Sequence, residues 1–385
     1  MTTILLARVA SMLVVAASGT LQPGRVAGRA LTVGDQHSWS VDAEEGHYIH
    51  VVVDQHGIDV VASVLDPAGQ TAATVDTPNG DLGPEHVRFV ARVRGPYRID
   101  LKAAQPEAER GRYTIHLIER RPATANDRRI VAAIVEQTEA DRLRANPATR
   151  QESLERYDRA MAIWRDAGDR AGEAGALRAK GFAYVRLRDD GHAYETFSRT
   201  RAMWRELGDL RSEAFALLIL GTIHTRKDEP LETRARASEA LPLWRRAGDR
   251  EEQAFTLGEI GTTYARLKDR PGTEAWYRDA LGVARKSHRR ALEAAILDNF
   301  ARAYGQLDDQ PAALETHERA RVKWQQARHR RGQAGSLRSI GAIHEALGET
   351  AKAIEAYMKA ADLWRQAGVL QEETVDRARA DKLRR

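Results

Sequence analysis

The sequence predicts an α+β multidomain protein, with an N-terminal antiparallel β-sandwich followed by an all-α, right-handed superhelix of 40-residue helical hairpins. One observation is a tryptophan that returns at a fixed interval, with small residues in phase with it; such self-similarity is the signature of stacked repeats. The other is a stretch of β-branched runs, separated by turn residues, before the repeats begin. The two series are Trp164, Trp204, Trp244, Trp324 and Trp364, with Ala284 in the missing place, and Gly181, Gly221, Gly261, Ala301 and Gly341.

Composition narrows the possible function classes. The 385 residues carry 60 basic and 55 acidic side chains, a net charge of +5, and the two signs are interspersed. This pattern favours a solvated surface, so we expect no nucleic-acid partner. The chain has no cysteine, which excludes disulfides, thiolate metal ligands and a cysteine nucleophile within it.

Residues 1–30 have the composition of a targeting segment. Arg8 is the only early charge, an apolar stretch covers residues 9–17, and small residues follow. This order predicts an export signal, and the alternative is a disordered or wrongly assigned start. We therefore expect a periplasmic, extracellular or membrane-tethered protein, with a cytoplasmic one as the alternative. Membrane contact is expected only through this segment, if it stays uncleaved.

Residues 31–119 predict the β-sandwich. The segment contains β-branched runs with turn residues between them, and about seven short strands at this spacing are typical of a sandwich. The runs occupy residues 48–53, 58–65, 87–93, 97–101 and 112–118.

Three polar residues in this segment raise the question of a metal site. His50, Asp54 and His56 have the parity to share one face of a strand. The alternative is the solvated outer face of an antiparallel sheet, which we favour because no supporting pattern of second partners is visible. The sequence therefore predicts neither a metal nor a cofactor.

Residues 120–169 predict a helical hinge and an atypical first repeat. One helix is expected over residues 124–145, and Asn146-Pro147 ends it. A second is expected over residues 153–167 and ends at Gly168-Asp169. An atypical unit is usual at the end of a repeat array, which must be capped.

Residues 170–369 predict five helical hairpins. In each unit the first helix carries a leucine, a small residue and a tyrosine or histidine on one stripe, and the second carries alanines and, in most units, aromatic residues. The pairs Gly208-Asp209 and Gly248-Asp249 close two of the units, because glycine suits a left-handed helix end and aspartate caps the next helix. Counted from the atypical first repeat, the fourth unit (residues 250–289) lacks both this pair and the tryptophan, so we expect a looser junction near residues 284–289.

The tryptophans have two interpretations. They could form a stacking surface for ligands, but their register with core positions favours a structural core between repeats. Residues 370–385 are dominated by charge and predict a polar capping tail.

The repeat pattern resembles the tetratricopeptide repeat in a 40-residue variant, over about half of the chain. The segments Gly-Pro-Tyr-Arg-Ile-Asp-Leu (95–101) and Gly-Arg-Tyr-Thr-Ile-His-Leu (111–117) resemble the closing strands of the bacterial pre-peptidase C-terminal-like domain. That resemblance implies a non-catalytic accessory module of secreted or periplasmic proteins. The combined order is similar to the N-terminal part of CHAT-domain proteins, which end in a caspase-like peptidase domain that is absent here.

Function is predicted from the repeats. The sequence has no His-Glu-x-x-His, phosphate-binding glycine loop or Gly-x-Ser-x-Gly motif, so we expect no enzyme. The resemblance implies a protein-interaction scaffold that binds a protein or peptide in a concave groove lined by the first helices. The alternative is a regulatory or sensor part of a CHAT peptidase system, truncated or acting in trans.

Five arginines are the predicted groove residues. They fall at two repeat positions, and a column of arginines would favour an acidic or C-terminal carboxylate partner. The alternative is ordinary arginine on exposed helix faces. The residues are Arg178 and Arg338 at one position, and Arg186, Arg226 and Arg266 at the other.

Overall fold

The computed structural model describes residues 17–32, 34–75, 82–104 and 111–384. The chain divides into two compact units, one of Met1–Glu136 with Ala162–Asp169 and one of Gln137–Met161 with Arg170–Arg385. In the described residues, strands that form two sheets are followed by thirteen consecutive helices. This order confirms the predicted fold class.

The β region consists of two sheets. One has the strand order β1-β3-β8-β5-β6 and the other β2-β9-β4-β7, and neighbouring strands are antiparallel except for the parallel pair β1 and β3. In chain order the strands are β1 (Ala17–Thr20), β2 (Val26–Leu31), β3 (Gln36–Ala43), β4 (His47–His56), β5 (Val60–Leu65), β6 (Thr71–Val75), β7 (Leu82–Val90), β8 (Gly95–Ala103) and β9 (Gly111–Pro122).

Strand β4 shows how the sequence builds the β core. Ile49, Val51 and Val53 are fully buried, whereas His50 and Asp54 point the other way and stay partly exposed. Side chains alternate across a strand, so a run with polar residues at every second place buries one face and leaves the other to solvent.

The β structure begins inside the segment 1–30. Strands β1 and β2 lie there, and Leu21 and Leu31 are buried in the same core as the later strands. The signal was weak because β2 is short, rich in small residues and mostly exposed. The predicted export signal falls mainly on residues 1–16, outside the described residues, and stays a prediction.

The helical region is a series of hairpins. Helices α1 and α2 occupy the predicted hinge, α3 to α12 pair in succession as five hairpins, and α13 follows them. Their bounds are α1 (Ala125–Ala145), α2 (Arg150–Asp166), α3 (Arg170–Leu187), α4 (Asp190–Leu207), α5 (Leu210–Arg226), α6 (Pro230–Ala247), α7 (Arg250–Arg266), α8 (Arg270–Lys286), α9 (Arg290–Gln306), α10 (Gln310–Gln326), α11 (Arg330–Ala346), α12 (Thr350–Gln366) and α13 (Leu370–Leu383).

A left-handed residue separates successive helices of the array. At Gly208 and Gly248 this conformation carries no steric penalty, but at the fourth closure His288 takes it, with φ at 58°. A residue with a Cβ pays about 1 kcal/mol for this conformation. The fourth junction thus keeps the turn without the glycine, and the predicted loosening there stays a prediction.

The repeated glycines allow the two helices of a hairpin to approach. A Cβ on Gly181 would lie 2.8 Å from the Phe197 ring, closer than side chains tolerate. At Gly221 the nearest atoms are 3.5 Å away, because Ala237 replaces the aromatic residue there. A side chain is therefore excluded by the ring at Gly181 and tolerated at Gly221. The same close approach joins Gly261 to Tyr277 and Gly341 to Tyr357.

Candidate partner-binding face of the first helices

Two of the five predicted groove arginines pair with acids of the preceding hairpin. Arg226 on α5 binds Asp190 on α4, and Arg266 on α7 binds Asp228 in the turn before α6. These guanidinium groups link one hairpin to the next. A partner carboxylate would have to displace an internal one to reach them.

Arg338 on α11 is paired more completely. Its Nε donates to Asp376 at 2.6 Å and its Nη1 donates to Glu372 at 2.6 Å, both on α13. Burial acts to lower the pKa of Arg338, but hydrogen bonds to the two carboxylates outweigh it and raise the pKa. Since the Asp376 side chain is fully buried, this arginine is its necessary counter-charge.

Arg178 on α3 has the opposite surroundings. Protein encloses most of its side chain, and burial lowers its pKa, yet it keeps some exposure to solvent. In the described part of the chain it has neither a hydrogen bond nor an ion pair; its guanidinium carbon lies 6.0 Å from the centre of the Phe215 ring. Arg178 is thus an enclosed cation whose charge is not matched internally.

The acids nearest to Arg178 are already in use. Asp209 and Asp141 act on its pKa from a distance, in the direction that raises it. Asp209 accepts a hydrogen bond from the Ser212 backbone N–H as a helix cap. Asp141 Oδ1 accepts a hydrogen bond from the Tyr157 hydroxyl, with 2.6 Å between the two oxygens.

Arg186 lies at the end of α3 and is exposed. Its backbone carbonyl accepts a hydrogen bond from Arg150 Nη1 at 3.2 Å. The five arginines therefore do not form one uniform column: three are engaged within the array, while Arg178 and Arg186 have no ion pair among the described residues.

The repeated tryptophans are buried at the N-terminal end of the array and partly buried at the other. Trp204 and Trp244 are 8% and 3% exposed, whereas Trp324 and Trp364 are less completely covered. Trp164 is buried as well.

The indole N–H groups divide in the same way. Trp364 Nε1 donates to Asp376 at 2.9 Å, and Trp324 Nε1 donates to Asp298 at 2.6 Å. The Nε1 atoms of Trp204 and Trp244 are buried with no hydrogen-bond partner among the described residues.

Asp298 on α9 organises a polar cluster in the hairpins α9–α10 and α11–α12. Besides Trp324, it accepts hydrogen bonds from Ser336 at 2.9 Å and pairs with His317 Nδ1 at 2.9 Å. Ser336 and His317 are both buried. Because the serine and the histidine each face the aspartate instead of each other, the cluster lacks the arrangement that activates a serine nucleophile.

Partly buried apolar side chains that pack against the hydrophobic core lie on three first helices, and we name this set the apolar stripe. It consists of Phe182 on α3, Phe215, Leu218 and Ile219 on α5, and Phe255 on α7. The Phe182 and Phe215 rings lie 6.0 Å apart. In α5 the stripe follows the i, i+3, i+4 spacing of one helix face.

Glu259 lies on α7, four residues after Phe255 and therefore on the same helix face. Burial raises its pKa, and Arg266 offsets part of this effect. Within the described residues Glu259 has no hydrogen bond or ion pair, whereas Arg266 is paired with Asp228. Two unmatched charges of opposite sign, on α3 and α7, thus flank the stripe on α5.

The histidines of the β region lie on the outer face of β4 and β7. His50 Nε2 is 3.0 Å from His86 Nδ1, and burial, Arg88 and His86 together lower the pKa of His50 to about 4. Asp54 is 3.8 Å from His116 instead, while His56 is exposed. Among the described residues no three histidine or carboxylate side chains are placed to hold a metal ion.

The sequence did not predict the roles of three acids by which the repeat units differ from one another. Asp376 lies in the segment predicted as a polar tail, and Glu259 and Asp298 lie on first helices. For Asp376 the signal was an acid where another unit carries Ala216, and for Asp298 it was an acid at the repeat position of Arg178 and Arg338. Only an alignment of the 40-residue units at every position would have found it.

The comparisons with known proteins concern the fold. No family model matches the chain, and no curated protein matches it. BtubC from P. vanneervenii is 18% identical, with 68% of this chain and 92% of that chain covered and a TM-score of 0.39. The apo form of RapI is 12% identical, with 68% and 98% covered and a TM-score of 0.46.

A third solved structure covers the β region. It is the pre-peptidase C-terminal domain of a collagenase from Bacillus anthracis, 16% identical, with 26% of this chain and 95% of that chain covered and a TM-score of 0.22. The chain is thus similar to repeat proteins and to a pre-peptidase C-terminal domain, as the sequence predicted. In the described residues, no helix is sufficiently long and apolar to cross a membrane.

Proposed function

We propose that this protein is a non-catalytic scaffold that binds a protein or peptide on the open face of its first helices. The apolar stripe carries this proposal. Phenylalanine and aliphatic side chains on the first helices of three successive hairpins pack against the core yet keep part of their surface in solvent, and apolar surface of this kind on a highly charged protein marks interaction sites.

Photo-crosslinking of the full chain in native extract tests the proposal. A photoreactive amino acid at Thr222, exposed on α5 one helical turn beyond Leu218, should form adducts with partner proteins. The matched control places it at Arg199, exposed on the second helix α4. Adducts that form from Thr222, not from Arg199, and disappear with Leu218→Glu support the stripe. The same adducts from both positions would contradict it.

We also propose that the protein is exported. The apolar stretch at residues 9–17 and the resemblance of segments 95–101 and 111–117 to a secreted module support this. Cleavage before Ala17 would leave β1 whole. N-terminal sequencing of the protein from fractionated cells would reveal a mature end near that residue, whereas an intact Met1 in the cytoplasmic fraction would argue against export. The alternative role beside a CHAT peptidase rests on resemblance alone.

A further inference from the structure

Two partly buried charges next to the apolar stripe have no ion pair among the described residues. Arg178 lies on one side, on α3, and Glu259 lies on the other, on α7, with Leu218 and Ile219 of α5 between them in the repeat order. Every other predicted groove arginine that is partly buried has an internal acid. Among the partly buried groove arginines, Arg178 therefore differs from the others in having no ion pair within the described residues.

Unmatched enclosed charges lower the stability of a folded protein, since burial removes hydration that no internal partner replaces. Positions that break a packing rule in this way are often functional sites. A ligand that brings an acid to Arg178 and a base to Glu259 would supply both missing partners. Because the two charges have opposite signs, they would also determine the orientation in which a ligand binds along the stripe.

The distance between the charges sets the length of the ligand. The Phe182 and Phe215 rings lie 6.0 Å apart, so α3 and α5 are neighbours. At about 10 Å between neighbouring helices, the two steps from α3 to α7 cover roughly 20 Å. An extended chain advances about 3.3 Å per residue, so about six residues span the two charges.

We propose that the first-helix face binds an extended segment of a partner protein with an acidic side chain on Arg178, apolar side chains on the stripe and a basic side chain on Glu259. This inference rests on the proposed scaffold function and names the chemistry of its partner. Arg178 and Glu259 are the residues that determine which segments bind and in which orientation.

A comparison of repeat positions suggests a variant that gives Arg178 an internal carboxylate partner while the arginine itself stays in place. Asp376, the partner of Arg338, lies at the repeat position that Ala216 occupies relative to Arg178. Ala216→Asp should place a carboxylate beside Arg178 and beside the unpartnered Nε1 of Trp204, as Asp376 does for Arg338 and Trp364. The arginine would then be occupied internally.

The experiment is a selection from a displayed library of random peptides, about twice the length of the span. The full-length protein and its folded variants Arg178→Glu, Glu259→Lys, Ala216→Asp and Leu218→Gln are the targets. Wild type should enrich peptides with an acid and a base on either side of apolar residues. Arg178→Glu should select a base in place of the acid, and Ala216→Asp should lose the acid preference alone.

Affinity measurements on the selected peptide complete the test. Its binding should weaken at least about tenfold with Arg178→Glu and recover when the peptide's acid is changed to lysine. Peptides that depend on Leu218 but ignore both charge substitutions would overturn this inference and leave the scaffold function standing. A library that yields no peptide dependent on Leu218 would overturn both.

Discussion

Arg178 and Arg338 occupy the same position of the repeat at opposite ends of the array, yet their electrostatic surroundings differ completely. Arg338 has two carboxylates within 2.6 Å, and the neighbouring Trp364 indole shares one of them. Arg178 has no ion pair in the described residues, and Trp204 Nε1 has no acceptor. The same repeat position therefore holds an arginine in an internal ion pair at the C-terminal end of the array and an arginine without an ion pair among the described residues at the N-terminal end.

Arg338→Met tests the fastened end and should have the largest effect. It leaves Asp376 buried without its counter-charge, which should lower the free energy of unfolding by about 3–5 kcal/mol. Urea unfolding measures the change. Arg186→Met is the control, because this exposed arginine has no ion pair among the described residues and should shift stability by under about 0.5 kcal/mol. Equal shifts for the two variants would show that the Arg338 pair carries no special weight.

Ala216→Asp, combined with Arg178→Met, tests whether the open end can be converted into the fastened one. Beside Arg178 the new carboxylate should change the free energy of unfolding little. When methionine replaces the arginine, the same carboxylate should lower it. The double-mutant cycle should show a coupling free energy of about 2–3 kcal/mol. Strict additivity would mean that the two positions do not meet as Arg338 and Asp376 do.

Gly332→Ala tests how rigidly the C-terminal indole is held. The new Cβ would clash with Cδ2 of Trp324, whose Nε1 donates a hydrogen bond to Asp298, so the free energy of unfolding should fall by about 1–2 kcal/mol. Gly335→Ala, on the same helix with no atom within 4 Å of its new Cβ, should instead stabilise by about 0.5–1 kcal/mol. Thermal unfolding compares them. If both stabilise, the Trp324 ring is free to move.

Glu259→Gln tests the open end through pH and should have the smallest effect. Because burial raises its folded pKa, ionised Glu259 lowers stability above that pKa, and the loss disappears as pH falls through it. The variant should exceed wild type by up to about 1 kcal/mol near neutral pH and match it in acid. Melting temperatures across pH measure this. The exposed Glu232→Gln on α6 should show no such trend, and a pH-independent gain at Glu259 would contradict the explanation.

The backbone plan could be predicted from the sequence because it depends on residues that repeat. Tryptophan, glycine and turn residues recur in register, and each has a local reason for its place. The ion pairs of the arginines could not be predicted in this way, because the acid that pairs with an arginine lies outside the arginine's own hairpin. Arg226 and Asp190 are 36 residues apart, and Arg338 and Asp376 are 38 apart. Pairing at that distance appears only when neighbouring units are placed together.

The early strands could not be predicted for a different reason. The segment that holds β1 and β2 has the small and apolar residues of an export signal, and a short exposed strand carries little alternation. Composition alone therefore predicts an export signal over the whole of residues 1–30, although the last part of this stretch belongs to the β core.

Pairing between adjacent units has a mechanical consequence. The principal helix contacts join neighbours along the chain, so a pulling force at the C-terminus first meets only the bonds of α13 to α11 and α12. Once Arg338 and Trp364 release Asp376, the next hairpin becomes the new end, and the array should extend in steps of one unit. Each step would lengthen the chain by about 130 Å at full extension. The Arg338 pair therefore resists the first step together with the Arg377–Asp362 ion pair and the apolar contacts between α12 and α13.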